Sequence, residues 1–198
     1  MPVPSLSERA FFLSHGLRDR LATRPKAQFE LYAADGDDVR RLLDEDRIDI
    51  ALLLEPVETA KYESVPLALT ERWGVVVRTD DPAASAESLS MDALRWLSLI
   101  LPLRHMVRDT LHGWFGDASE TLTIAGYHNV PTNALELVRA GLGALLCVEV
   151  SYTMRPSADL RFIPLAPERR THQLSRSAED FWQMCVTHAT GASSNGCR

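Results

Sequence analysis

Cysteine is scarce in this 198-residue chain: Cys147, Cys185 and Cys197 are all it has, and none stands at the CxxC or Cys-His spacing of a metal site. An odd, unspaced set argues for a reducing, cytoplasmic setting. Cys147 lies inside an apolar run and reads as a small buried hydrophobe. Basic charge is also in deficit, with 21 Lys and Arg against 27 Asp and Glu and a net charge of −6. Phosphate neutralisation needs a surplus of cations on one face, so the chain is not expected to bind nucleic acid by itself. Its densest basic cluster, "PERRTH" around Arg169 and Arg170, reads as a solvated loop. No apolar run approaches the length of a membrane span, and the N-terminus has neither the basic n-region nor the apolar core of a signal peptide. Low-complexity tracts and repeats of solenoid or propeller period are absent too. Gly-x-Ser-x-Gly and His-Glu-x-x-His do not occur. The expectation is a non-enzymatic globular protein without metal or cofactor.

What the sequence does contain is alternating strand and helix patterns. Ser5 and Glu8 have capping-box spacing, followed by Phe11, Phe12, Leu13, Leu17 and Leu21 at helical intervals. "AQFELYAA" reads as a strand, "DDVRRLLDED" as a short helix with Val39, Leu42 and Leu43 inward, and "RIDIALLLEP" as a buried strand. "ESVPLALTERWGVVVRTDDP" holds two strand runs, and "SLSMDALRWLSLIL" a short helix and then a strand. "LRHMVRDTLHGWF" predicts a helix with Met106, Val107, Leu111 and Trp114 inward. After it come strand "TLTIAGYH", helix "PTNALELVRA", strands "GALLCVEV" and "LRFIPLAP", and a closing helix "SRSAEDFWQMCVTHA". This alternation predicts an α/β fold with mostly parallel sheets. Polar segments at 78–88 and 151–160 bracket an inserted lobe, giving lobe I as 1–76 with 159–190, lobe II as 77–158, and a frayed tail at 191–198.

Glycine pairs build dinucleotide loops, so Gly141-Leu142-Gly143 is a candidate for phosphate binding. The order is wrong for it: a fingerprint runs strand, glycines, helix, whereas here the helix precedes the glycines and a strand follows. Gly141 instead sits at the C′ position of a helix, where glycine accepts a left-handed conformation. His105 and His112 are seven apart on one helix without completing a ligand set, and Glu45, Asp46 and Asp49 read as a solvated helix end. More promising are the helix starts. Ser5 and Ser7, the turn at Arg104 and His105, and Thr132 with Asn133 stand where unpaired N–H groups and the helix dipole suit a small anion. In α/β sheets such ends gather on one edge, and Arg104 would grip a carboxylate in bidentate fashion.

The segments "LLDEDRIDIALLLEP", "LALTERWGVVVRTDDPAA", "ALELVRAGLGALLCVEV" and "LRFIPLAP" resemble the effector-binding domain of LysR-type transcriptional regulators. The most specific element is Val138-Arg139-Ala140-Gly141-Leu142-Gly143, and the resemblance runs from about residue 5 to residue 185. It implies a type 2 periplasmic-binding-protein-like fold, two α/β lobes joined by two crossover strands, with a small-molecule effector between the lobes. It also implies a homodimer or tetramer that reaches DNA only through an N-terminal helix-turn-helix domain lacking from this chain, and no membrane contact. Carried over, Ser5, Ser7, Arg104, His105, Thr132 and Asn133 would face the effector, a carboxylate or other small anion. The alternatives are an enzyme or solute-binding protein on the same fold, such as a prephenate dehydratase-like domain, or a dimerisation module that binds no ligand.

Overall fold

A computed structural model of the chain describes residues 28, 30, 32, 34–56, 60–62, 64–116 and 121–176. The expected first helix with Ser5 and Ser7, most of the "AQFELYAA" strand, and nearly all of the closing helix lie outside them. Helix α1 (Gly36–Asp44) starts where the Asp35 carboxylate accepts from Asp37 N and Asp38 N at 3.0 and 2.9 Å. Acidic Asp37 and Asp38 in its first turn and Arg41 in its last complement the helix dipole. The helix ends in a Schellman pair, Arg47 N to Leu42 O at 2.9 Å and Asp46 N to Leu43 O at 3.2 Å. Asp46 takes the left-handed position, φ 52°, that glycine usually fills. That cap occupies the start of "RIDIALLLEP", so strand β1 is only Ala51–Leu54.

The two strand runs expected over 63–82 are one 15-residue strand, β2 (Ser64–Arg78). Glu71 and Arg72 do not break it because both charges are engaged. Glu71 accepts from Val150 N at 3.3 Å, and Arg72 forms a two-point pair with Glu149 at 2.8 and 2.6 Å. Strand β3 (Leu89–Ser90) and a single 3₁₀ turn (Ala93–Trp96) replace the helix expected in "SLSMDALRW". Leu94 alone is buried there, too little apolar surface to extend a helix. Strand β4 (Ser98–Pro102), helix α2 (His105–Phe115), strand β5 (Thr123–His128), helix α3 (Pro131–Arg139) and strand β6 (Ala144–Val148) follow the expected order. The strand "GALLCVEV" ends early, since Glu149 begins helix α4 (Glu149–Thr153). Strand β7 (Leu160–Ala166) and strand β8 (Arg170–Arg176) complete the described chain. "PERRTH" is therefore not simply a loop: Arg170 opens β8, whose later residues pair antiparallel with β1 from Leu54↔Gln173 to Ala51↔Arg176.

The chain divides into two compact units, one holding the residues up to Thr70 and from His172, the other Glu71–Thr171. It passes between them inside β2 and inside β8. In the second unit β7, β2, β6, β4 and β5 form a sheet in that order, with β3 beside β7. β4, β5 and β6 are parallel, while β2 runs antiparallel to both β6 and β7. Its core joins Val76, Ile100, Leu145 and Cys147 of the sheet to Ala134, Leu135 and Val138 of α3, with Leu160 beside them. Positions 134, 135 and 138 are one face of a helix, and each large side chain so buried stabilises the unit by about 1.5–3 kcal/mol. Burial also pushes the Cys147 thiol pKa up, so the group stays protonated. The Gly-Leu-Gly closes α3 as a Schellman motif, Leu142 N to Leu137 O at 3.0 Å and Gly141 N to Val138 O at 2.9 Å, with Gly141 at φ 74°. Gly143 is required by proximity: a Cβ there would lie 2.6 Å from Ser98 O.

Candidate functional site

Parallel strands bring their carboxyl ends to one edge, and at that edge of the second unit lie four of the six expected residues, Arg104, His105, Thr132 and Asn133, while Ser5 and Ser7 lie outside the described residues. β4 and β5 pair in register through Pro102↔His128, and Leu103 N donates to His128 O at 2.7 Å. The turn carrying Arg104 and His105 thus lies beside the turn leading to Thr132 and Asn133. Neither helix start has a side-chain cap: Arg104 stands at the N-cap of α2 and Val130 at that of α3, where Pro131 supplies the preset φ of a first helical residue. Neither first turn carries an acidic residue. Two uncapped amide clusters with the positive ends of two dipoles have a chemistry suited to a small anion.

The candidate residues differ in placement. Arg104 and Thr132 are half-buried, whereas Asn133 and His105 are exposed. His105 Nδ1 lies 3.1 Å from Asp109 on its own helix, so its ring is turned along α2. Exposed His112 has no such role, and no group of three metal-ligating side chains occurs among the described residues.

Several residues at this edge escape the sequence pattern. His128, last in β5, is half-buried, with both ring nitrogens shut off from solvent. Burial pushes its pKa down to about 4, the Leu146 carbonyl only partly offsetting the loss of water, so the imidazole is neutral. Arg108, on the second turn of α2, places its guanidinium 5.5 Å from the Tyr127 ring centroid, with Nε buried and unbonded. Glu71 is only 3% exposed yet carries a carboxylate, held at the start of α4 by Val150 N. Arg169 lies 5.5 Å from the Trp114 ring, which meets Trp73 edge-on at 5.6 Å. The one signal available in the sequence was charge inside an apolar strand, "LTERWGV"; the others are contacts between segments distant in the chain.

The chain matches the model of the LysR substrate binding domain over residues 9–190. It belongs to that family. This LysR-type effector-binding domain accordingly has the type 2 periplasmic-binding-protein-like fold, two α/β units with the chain crossing twice between them. Full-length CbnR bound to its target DNA aligns with a TM-score of 0.68 at 20% identity, covering 90% of this chain and 64% of that one. The chain therefore spans about two thirds of that regulator. The effector-binding domain of QuiR in complex with shikimate aligns at 0.72 and 15% identity, covering 90% of each chain. The regulatory domain of CcmR from Synechocystis, in complex with 2-PG, aligns at 0.69 and 14% identity, covering 94% of this chain and 93% of that one. No curated protein matches it by sequence.

Proposed function

We propose that this domain senses a small anion, a carboxylate above all, at the carboxyl edge of its second unit, and performs no catalysis. The observation that carries the reading is the pair of uncapped helix starts on adjacent strand ends, flanked by Arg104 and Arg108. Arg104 is the bidentate clamp, Thr132 supplies a hydroxyl, and His105 and Asn133 form the rim. Ser5 and Ser7, which the family resemblance also assigns to the effector, lie outside the described residues. Two structural neighbours, QuiR with shikimate and CcmR with 2-PG, are sensors captured with small molecules, which supports the class of ligand. Binding biases the arrangement of a homodimer or tetramer whose DNA contacts belong to an N-terminal domain, and the protein works in the cytoplasm. Support for self-association comes from edge strand β5, where Ile124 and Tyr127 are exposed. Among the described residues no helix is long and apolar enough to cross a membrane.

Thermal unfolding with benzoate, shikimate or inorganic phosphate tests the site. At a hundredfold excess over Kd, a bound anion raises Tm by about 5–10 °C. Arg104→Ala should remove most of that rise while leaving the ligand-free Tm within about 2 °C. Flat melting curves for all three anions to about 10 mM, a limit set by millimolar binding of about 4 kcal/mol, or a full response in the variant, would sink the proposal.

A further inference from the structure

The opposite edge of the second unit holds a cavity of about 400 Å³, within the size range of small-molecule sites. It lies where β4 and β6 begin and α3 ends, so the glycine pair that closes that helix also forms part of the wall: Gly141, Gly143 and Ser98 line it together with Arg78, Asp81 and Trp96. Four features give the cavity a chemistry opposite to that of the anion site. First, α3 directs its C-terminal end here, the negative pole of its dipole. Second, two carboxylates, Asp80 and Asp81, line it against one guanidinium, Arg78, for a lining charge of −1. Third, that guanidinium is already engaged. Arg78 Nε donates to Asp80 Oδ1 at 2.8 Å and its Nη2 to the other oxygen, and the contact holds Asp80 below the ordinary carboxylate range. Asp81 spends one oxygen on Ala83 N at 2.8 Å, capping the 3₁₀ turn. Fourth, Trp96 is 89% exposed, so nearly its whole indole is in water beside the cavity. A tryptophan face is the best aromatic platform for a cation. Glycine completes the shape, since a Cβ on Gly141 would come within 3.1 Å of Arg78 Nη1 and crowd the wall.

We propose that this cavity is a second binding site, for a small organic cation carrying a planar ring and an ammonium group, seated on Trp96 with its charge toward Asp80, Asp81 and the end of α3. The site is independent of the anion site and uses none of its residues. A regulator with both would read two ligands of opposite charge at opposite edges of one sheet.

The test titrates the ¹⁵N-labelled chain with phenethylammonium, following backbone amides and the Trp indole resonances, with phenylacetate as the ring of opposite charge. Saturable shifts at Gly141, Gly143, Ser98 and the Trp96 indole are expected at millimolar or lower concentration. Trp96→Ala should weaken binding about tenfold, since removing an exposed platform does not touch the core. Phenylacetate should bind these residues at least about tenfold more weakly, and salt should weaken the cation's binding. No saturation at these amides to about 10 mM, equal binding of phenylacetate here, or unchanged affinity in Trp96→Ala overturns the proposal. Shifts confined to Arg104, Thr132 and their neighbours overturn it too, and would leave the anion reading to its own test.

Discussion

His128 bears an energetic burden that its neighbours relieve only in part. Both ring nitrogens are shut off from solvent, and burial holds the pKa at about 4 against an ordinary value near 6.5, the Leu146 backbone offsetting it only in part. The unfolded chain therefore takes up a proton between those values while the folded chain does not. Folding stability from this residue is fully present above pH 6.5 and is lost as the pH falls toward 4, by up to about 3 kcal/mol. Replacing the ring with an uncharged polar group, His128→Gln, removes that titration. A plot of unfolding free energy against pH from 7 to 4 should fall less steeply for the variant than for the parent, and parallel curves would refute the assignment. None of this was legible at the level of residue types, because a histidine at a strand's end is unremarkable until packing shuts its ring nitrogens off from solvent. The placement of Arg104 and Thr132 at helix starts was legible, since a strand end followed by a helix start is a local pattern. Asp46 marks the intermediate case: read as part of a solvated helix end, it takes the left-handed turn that glycine usually fills, a conformation an aspartate tolerates.

The elements of the second unit followed their hydrophobic periods wherever tertiary pairing did not intervene. Helix α3 and strand β6 are nearly where the apolar spacing puts them, because each buries one continuous face against the other. β2 and β8 departed from expectation for a shared reason: strands tolerate charged residues when those charges find partners or face outward. Glu71 and Arg72 find theirs on α4, a contact across more than seventy residues that no local window contains. The 3₁₀ turn at Ala93–Trp96 failed as a helix because only one of its side chains is buried. The junction between α3 and β6 is the most constrained of these elements. Gly143→Ala would set a methyl 2.6 Å from the Ser98 carbonyl and against Ala125 and Ile100, and backbone cannot yield there as a flexible side chain would. Overpacking of this kind costs about 1–3 kcal/mol, a fall in Tm of several degrees for a unit of this size. Chemical denaturation should show a lower midpoint at unchanged m-value; a neutral result would mean that β4 and β6 part more easily than their register implies.

At the scale of the molecule, the second unit is an insertion whose two ends meet. Trp73 N donates to Arg169 O at 2.8 Å, so the strands that enter and leave it are hydrogen-bonded within a few residues of its limits at Glu71 and Thr171. Its sheet, its helices α2, α3 and α4, and its core of Val76, Ile100, Leu145 and Leu135 all belong to this one segment. A segment of roughly a hundred residues with its own core and adjacent ends has the makings of a domain that folds alone. The fragment 71–171, produced by itself, should unfold in one cooperative transition and retain near-ultraviolet circular dichroism from Trp73 and Trp114, whose rings meet edge-on inside it. Loss of that signal with retained secondary structure would indicate a molten state, and would mean that the first unit is needed to fix the packing of the second. If the fragment folds, both proposed ligand edges are carried by it. Anion and cation titrations on the fragment, set beside those on the full chain, then show what the second unit binds by itself.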